Sequence, residues 1–382
     1  MAIIFGFWAL GISYGVETLF KRTKNVESYL FEPIPIISMF IGGMLPFFIF
    51  RKKWQPKPGT YTALDELLHY VYLSSSSIPK MSFAIEKMLF KVKLKKPYPK
   101  SLLITGLARS GTTALTSLLY KTEAFSSLYY RNMPFVLMPN FWVKVNRGQS
   151  VSFERSHADG IEHSLESVEA LEEFFWKTYL GKSYINIDTL NTHEIPIKVW
   201  NEYQKYLQLI LVGDKYYLAK NNNSILRLKS LLQHDNQLQV VILFRHPAAH
   251  IKSLESQNSK FKEQQDENEF VDFYMEALAH HEFGNKWRPF QFTEQTPARN
   301  YKSSWFNYYS YSLQFAQHER VHFVSQEGFA SNPKQTLEVI KEKTGLEFQI
   351  QKTDGFKLND NSDELSPEII DVYERLCQLK IN

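Results

Sequence analysis

One stretch, LLITGLARSGTTALTSLLY at residues 102–120, constrains the fold more than any other. Leu102 to Thr105 form the short apolar run of a buried strand. A loop bounded by Gly106 and Gly111 follows, after which Leu115, Leu118 and Leu119 fall at helical spacing. Strand, glycine-bounded loop and helix start together make the geometry that cradles a phosphate. Backbone N–H groups of the loop and of the first helical turn point at the anion, and the helix dipole favours its charge. The spacing of Gly106 and Gly111 is that of a nucleotide phosphate loop. Where an NTPase carries its lysine, however, stands Thr112, and the cation sits earlier, at Arg109. A loop of Arg109, Ser110, Gly111, Thr112 and Thr113 can hold a terminal 5′-phosphate without being built to split a triphosphate. The plainer reading is a tight strand-to-helix turn with no ligand.

The chain has 382 residues, enough for one large α/β domain or two smaller ones with appendages. A net charge of +4 without a dense Lys/Arg block argues against a nucleic-acid partner and suits an anionic small molecule. The single cysteine, Cys377, excludes a disulfide within the chain.

Two N-terminal stretches differ in kind from the rest. Residues 2–20 are apolar except for Glu17, and residues 33–50 carry no charge. Both approach the roughly 20 residues of a membrane-crossing helix. Each is followed by a basic cluster, Lys21, Arg22 and Lys24 and then Arg51, Lys52, Lys53 and Lys57. Two simple spans would put those clusters on opposite sides, against the positive-inside rule. A hairpin or interfacial arrangement keeps both on the cytoplasmic face. Residues 1–53 are therefore expected to attach the protein to a membrane, with the catalytic part facing the cytoplasm. An arm packed on the protein or on a partner subunit is the alternative.

Residues 54–97 read as a linker and helical lead-in, and a catalytic domain is expected from residue 98 to 382. The aromatic, proline-bearing segment 125–150 reads as a pocket wall. A strong helix with Leu171, Phe174 and Phe175 on one face follows, then a helix near 201–211 and a short strand, 216–220. The run 238–244 is a second buried strand, and Pro247 suits the first position of the next helix. The polar stretch 255–268 reads as an exposed loop. A helix from Trp305, a third strand at 321–325 and a helix at 333–344 complete the pattern. Strands alternating with helices predict a doubly wound parallel sheet.

Arg245 closes the second buried strand and Ser253 lies about two turns into the following helix, a second candidate anion site. With Gly106-x-x-Arg109-Ser-Gly-Thr-Thr before it, this pair resembles the sulfotransferases that use 3′-phosphoadenosine 5′-phosphosulfate (PAPS). The resemblance runs from about residue 100 to 350. It includes the closing VHFVSQEGFASNPKQTLEVIKEKTGL segment, and His157-x-Asp159-Gly160, EALEEFFW and HHEFG with Arg288-Pro289 are similar to a bacterial branch. It implies a P-loop-like α/β fold, PAPS as co-substrate, the first motif on the 5′-phosphosulfate and the Arg245/Ser253 pair on the 3′-phosphate.

The implied reaction is in-line attack by an acceptor hydroxyl or amine on sulfur, without a metal. Its demand on the protein is positioning and neutralisation of the leaving oxygen. Arg109 and Lys220 are the expected cations. Such enzymes take their base from a glutamate past the phosphate loop or from a histidine, and no carboxylate stands between Glu123 and Glu154 here. His157, with Asp159 to orient it, is the preferred base, and Glu172 and Glu173 are the alternatives. The aromatic content and the N-terminal segment suggest a small-molecule acceptor, lipid or glycan included. A P-loop kinase and a non-catalytic membrane protein are the competing functions.

Overall fold

The computed structural model describes residues 63–92, 98–145, 153–154, 162–163, 171–351, 353–356 and 364–382. Within them, five parallel strands form the central sheet. These are β1 (Ser101–Gly106), β2 (Phe125–Ser126), β3 (Tyr216–Lys220), β4 (Leu238–Phe244) and β5 (Val321–Ser325), in the spatial order β2-β3-β1-β4-β5. Strand β1 lies at the centre, with Leu102 paired to Leu218 on one side and to Gln239 on the other. Both faces are covered, so every residue of β1 and β5 is buried. The continuous apolar runs follow from that.

Helices follow in the order α1 (Ala63–Leu73), α2 (Ser77–Leu89), α3 (Thr112–Lys121), α4 (Pro139–Val145), α5 (Glu173–Tyr184), α6 (Ile197–Ile210) and α7 (Leu228–His234). After β4 come α8 (Pro247–Glu267), α9 (Glu269–Ala277) and α10 (Tyr301–Ser312). After β5 come α11 (Gln326–Ser331), α12 (Pro333–Thr344) and α13 (Pro367–Leu379). Alternate sheet residues Leu102, Ile104, Val241, Leu243 and Val324 pack on Leu115 and Leu119 of α3, Phe329 of α11, and Leu337 and Ile340 of α12. Each such side chain contributes about 1.5–3 kcal/mol by leaving water. On the other face, Leu103, Tyr217 and Ala219 meet Trp200 and Tyr203 of α6 and Leu231 of α7.

The lead-in helices α1 and α2 belong to the same compact unit as the sheet, which runs from Ala63 to Asn382. Glu86 of α2 is buried and accepts the backbone N–H groups of Asn140 and Phe141 at 2.7 and 3.2 Å, capping the start of α4. Segment 133–142 is core rather than an open wall: Phe135 lies 4.5 Å from both Tyr72 and Trp142, ring centre to ring centre.

The polar stretch after Glu255 is not a loop. Helix α8 continues through it to Glu267, because Gln257, Phe261 and Gln265 form a buried stripe at helical spacing. Gln265 is satisfied there by the Asn285 amide at 2.7 Å. Burial with a specific backbone partner overrides polarity. Among the described residues no helix is long and apolar enough to cross a membrane. Both apolar N-terminal stretches lie outside those residues.

Candidate active site

The carboxyl ends of β1, β3, β4 and β5 bring the sequence-derived candidates to one edge of the sheet, where ligands collect in doubly wound folds. Strand β1 ends at Gly106. A Cβ there would lie 2.6 Å from the Leu243 carbonyl oxygen of β4 and 2.6 Å from Ser110 Oγ, so the close approach of loop and strand requires glycine. Arg109 follows with φ 71° and Gly111 with φ 94°. Left-handed backbone at a non-glycine residue costs about 1–3 kcal/mol and is retained where surrounding structure holds it. Here His250 of α8, completely buried, holds the loop by donating from Nε2 to the Ala108 carbonyl at 2.7 Å. Burial, reinforced by Arg245 and Arg109, pushes the His250 pKa down to about 3, so the ring stays neutral. Helix α3 begins at Thr112, which is buried, with Thr113 half-buried beside it.

Arg245 leaves β4 into the turn before α8, whose first residue is Pro247. Arg109 Nε donates to Ser253 Oγ at 3.3 Å, linking the phosphate loop directly to α8. Arg245 is buried and its Nε has no hydrogen-bond partner among the described residues. Burial lowers the Arg245 pKa, Glu327 opposes the shift, and the nearby Arg109 charge adds to it. Glu327, just after β5, accepts the His246 amide at 2.9 Å. Two guanidinium groups thus lie close together beside a helix N-terminus, with Glu327 acting on Arg245, a field that favours an anion.

Lys220, the last residue of β3, is buried, and so are Asn221 and Asn223 after it. The run is therefore not a surface feature. Tyr308 of α10 lies 3.1 Å from Thr105 and donates to the Asn222 carbonyl at 3.3 Å, fastening β1 to β3. Its neighbour Tyr309 donates to the Leu243 carbonyl at 2.9 Å and so holds the end of β4. Asn222 Nδ2 reaches Glu282 at 3.4 Å, and Lys220 is among the charges acting on that carboxylate.

Arg109 and Ser253 are in contact, Arg245 lies within electrostatic reach of Arg109, Ser110 to Thr113 lead from Arg109 into α3, and Lys220 stands at the adjacent strand end. His157 lies outside the described residues. Glu172 and Glu173 are buried in the protein's interior. Glu173 pairs with both terminal nitrogens of Arg227 at 2.7 and 2.8 Å and accepts Asn221 Nδ2 at 2.8 Å. Glu172 accepts from Trp176 and Tyr217, and burial raises its pKa. Both support the strand end from within. Glu282, which the sequence reads as polar packing at a helix end, and His250, Tyr308 and Tyr309, which it does not single out, all lie against these strand ends. Only the HHEFG segment carried a signal.

A model of the sulfotransferase family matches residues 101–349, about two thirds of the chain. This protein belongs to the sulfotransferase family. Comparison with curated proteins returned no match. Among solved structures, the sulfotransferase is similar to one from Mycobacterium tuberculosis H37Rv, with 13% identity over 87% of this chain and 85% of that one and a TM-score of 0.41. It is similar to one from Mycobacterium avium at 13% identity over 84% and 79%, with a TM-score of 0.45. It also resembles one from Alicyclobacillus acidocaldarius at 12% identity over 74% and 92%, with a TM-score of 0.35. Family membership makes sulfuryl transfer the general activity and the parallel α/β sheet its scaffold.

Proposed function

We propose that this sulfotransferase moves a sulfuryl group from PAPS to a hydroxyl or amine of a small-molecule acceptor. The contact between Arg109 and Ser253 carries this reading, since it makes one continuous anion cradle from the phosphate loop and α8. PAPS carries two phosphate groups on one nucleoside, and the cradle offers cations for both. In this reading the loop amides from Ser110 to Thr113 and the start of α3 hold the 5′-phosphosulfate. Arg245 and Ser253 hold the 3′-phosphate, for which the buried, unpartnered Arg245 Nε is a ready donor.

PAPS supplies an activated sulfur–oxygen bond. The chain's own residues do the rest: Arg109 and Lys220 neutralise charge on the oxygen leaving with the 5′-phosphate, and Tyr308 and Tyr309 keep the strand ends in register. His157 is a candidate for receiving the acceptor's proton. Residues 1–53 hold the protein at the cytoplasmic face of a membrane, which brings lipid or glycolipid hydroxyls within reach. The test is incubation of the full chain with PAPS and a membrane lipid extract, read by mass spectrometry. A sulfated lipid formed only with active protein supports the reading. A sulfated water-soluble acceptor, made equally well without residues 1–53, counts against the membrane part alone.

A further inference from the structure

The turn from Ala279 to Gly284 is anchored beyond what a loop between helices requires. Ala279, at φ 59°, presents its carbonyl to Asn223 Nδ2 at 3.2 Å. Tyr301 of α10 donates to the Glu282 carbonyl at 3.0 Å. The Gly284 amide donates to Asn258 Oδ1 at 2.9 Å, and a Cβ at Gly284 would lie 2.0 Å from Gln265 Oε1. Arg288 holds the buried His281 ring at 2.6 Å. Helices α8 and α10, the end of β3 and the segment after the turn all fix this one hexapeptide.

What the turn presents is the Glu282 side chain. Its carboxylate is 3.4 Å from Asn222 Nδ2 and 3.7 Å from His280 Nδ1, and 12% of the side chain is exposed. Asn222 is two residues past Lys220, and its carbonyl shares Tyr308 with Thr105 at the mouth of the phosphate loop. Glu282 therefore stands beside the end of β3, next to the candidate site. Burial alone would raise its pKa, but His280 and, more weakly, Lys220 outweigh it and keep the carboxyl below its usual range. Tyr301 and Tyr308 are the other titratable groups facing it. Ionised, anchored and slightly exposed within the field of Lys220, this carboxylate can accept a proton from a group placed against it.

We propose that Glu282 is the catalytic carboxylate that takes the acceptor's proton. This rests on the sulfuryl-transfer reading above. The acceptor oxygen forms its bond to sulfur as the bond from sulfur to the 5′-phosphate oxygen breaks. That electron pair leaves with adenosine 3′,5′-bisphosphate, and the acceptor's hydroxyl proton moves to a Glu282 carboxylate oxygen. His280, one third exposed, passes it to solvent.

A base is needed for an acceptor that is protonated at the assay pH and not for one already ionised. The experiment follows release of bisphosphate from PAPS by the full chain, with glycerol and water as protonated acceptors and with a nitrophenol ionised at the assay pH. Glu282→Gln is compared with wild type and with His157→Asn, and bisphosphate binding by each variant serves as the folding control. The expected result is a loss of roughly 10²–10⁴-fold in Glu282→Gln with the protonated acceptors. Nitrophenol turnover and bisphosphate affinity should change little. His280→Gln should cost less and shift the acidic limb of the pH profile. Equal losses with both acceptor types would make Glu282 structural and overturn the proposal. So would a selective loss in His157→Asn alone, or tight bisphosphate binding by a wild-type protein that does not speed PAPS breakdown. Failure of wild type to bind bisphosphate at all would instead defeat the sulfuryl-donor reading.

Discussion

Arg109 and Ser253, 144 residues apart in the chain, meet at 3.3 Å between Nε and Oγ. Through that contact the loop after β1 and the helix after β4 become one binding surface. A charge-assisted hydrogen bond is worth about 1.5–3 kcal/mol. Arg109→Lys, which keeps the charge and loses the planar fork, should weaken adenosine 3′,5′-bisphosphate roughly ten- to hundredfold. Ser253→Ala should weaken it less, by about tenfold. Calorimetry on both variants checks the order, and an unchanged affinity in both would remove Arg109 and Ser253 from the cradle.

Gly106 is required by space. Alanine would push its Cβ to 2.6 Å from a backbone carbonyl of the adjoining strand, which cannot rotate away. Gly106→Ala should destabilise the protein by about 1–3 kcal/mol. It should also reduce nucleotide affinity, because β4 carries Arg245 at its end. Urea denaturation with and without bisphosphate separates the two effects.

Buried neutral histidines make the protein acid-sensitive. His250 and His281, buried and beside arginines, have pKa values near 3, against 6.5 in an open chain. Between those values the unfolded chain binds protons that the folded protein does not. Stability is therefore fully present above about 6.5 and falls as pH drops from there towards 3, by about 1.4 kcal/mol per pH unit for each histidine. Thermal melts from pH 7 to 5 should show a falling Tm, and His250→Gln should flatten the slope.

Glu86 acts in the opposite sense. Burial raises its pKa from 4.5 to about 7, although the amides of Asn140 and Phe141 pull it down. The folded protein therefore holds a proton that the unfolded chain has released, and this contribution is lost as pH rises from 4.5 through 7. Glu86→Gln keeps an oxygen for the α4 cap and removes the buried charge. It should stabilise the protein by about 1–3 kcal/mol at pH 8 and have little effect at pH 5.

Much of the scaffold was legible because burial on both faces writes strands as apolar runs. Leu102–Thr105, 238–244 and 321–325 read as strands and are strands. The phosphate loop was legible for a different reason: Gly106, Arg109 and Gly111 sit at a spacing set by sterics and charge. The polar helix after Glu255 was not legible, since Gln257 and Gln265 look like solvent residues until their partners are known. Glu282 was hidden in the same way. Its HHEFG segment reads as a polar helix end, and only the fold brings it to Asn222 and Lys220. Conversely, Glu172 and Glu173 had a helix and a carboxylate pair to recommend them. The structure uses them inside, against Arg227, Trp176 and Tyr217.

The most direct test of the account is calorimetric titration of the full chain with adenosine 3′,5′-bisphosphate and, separately, with ATP, in wild type and in Arg245→Ala. The account predicts tight bisphosphate binding in wild type, much weaker ATP binding, and loss of the bisphosphate signal in the folded variant. Equal affinity for the two nucleotides, or bisphosphate binding indifferent to Arg245, would contradict it.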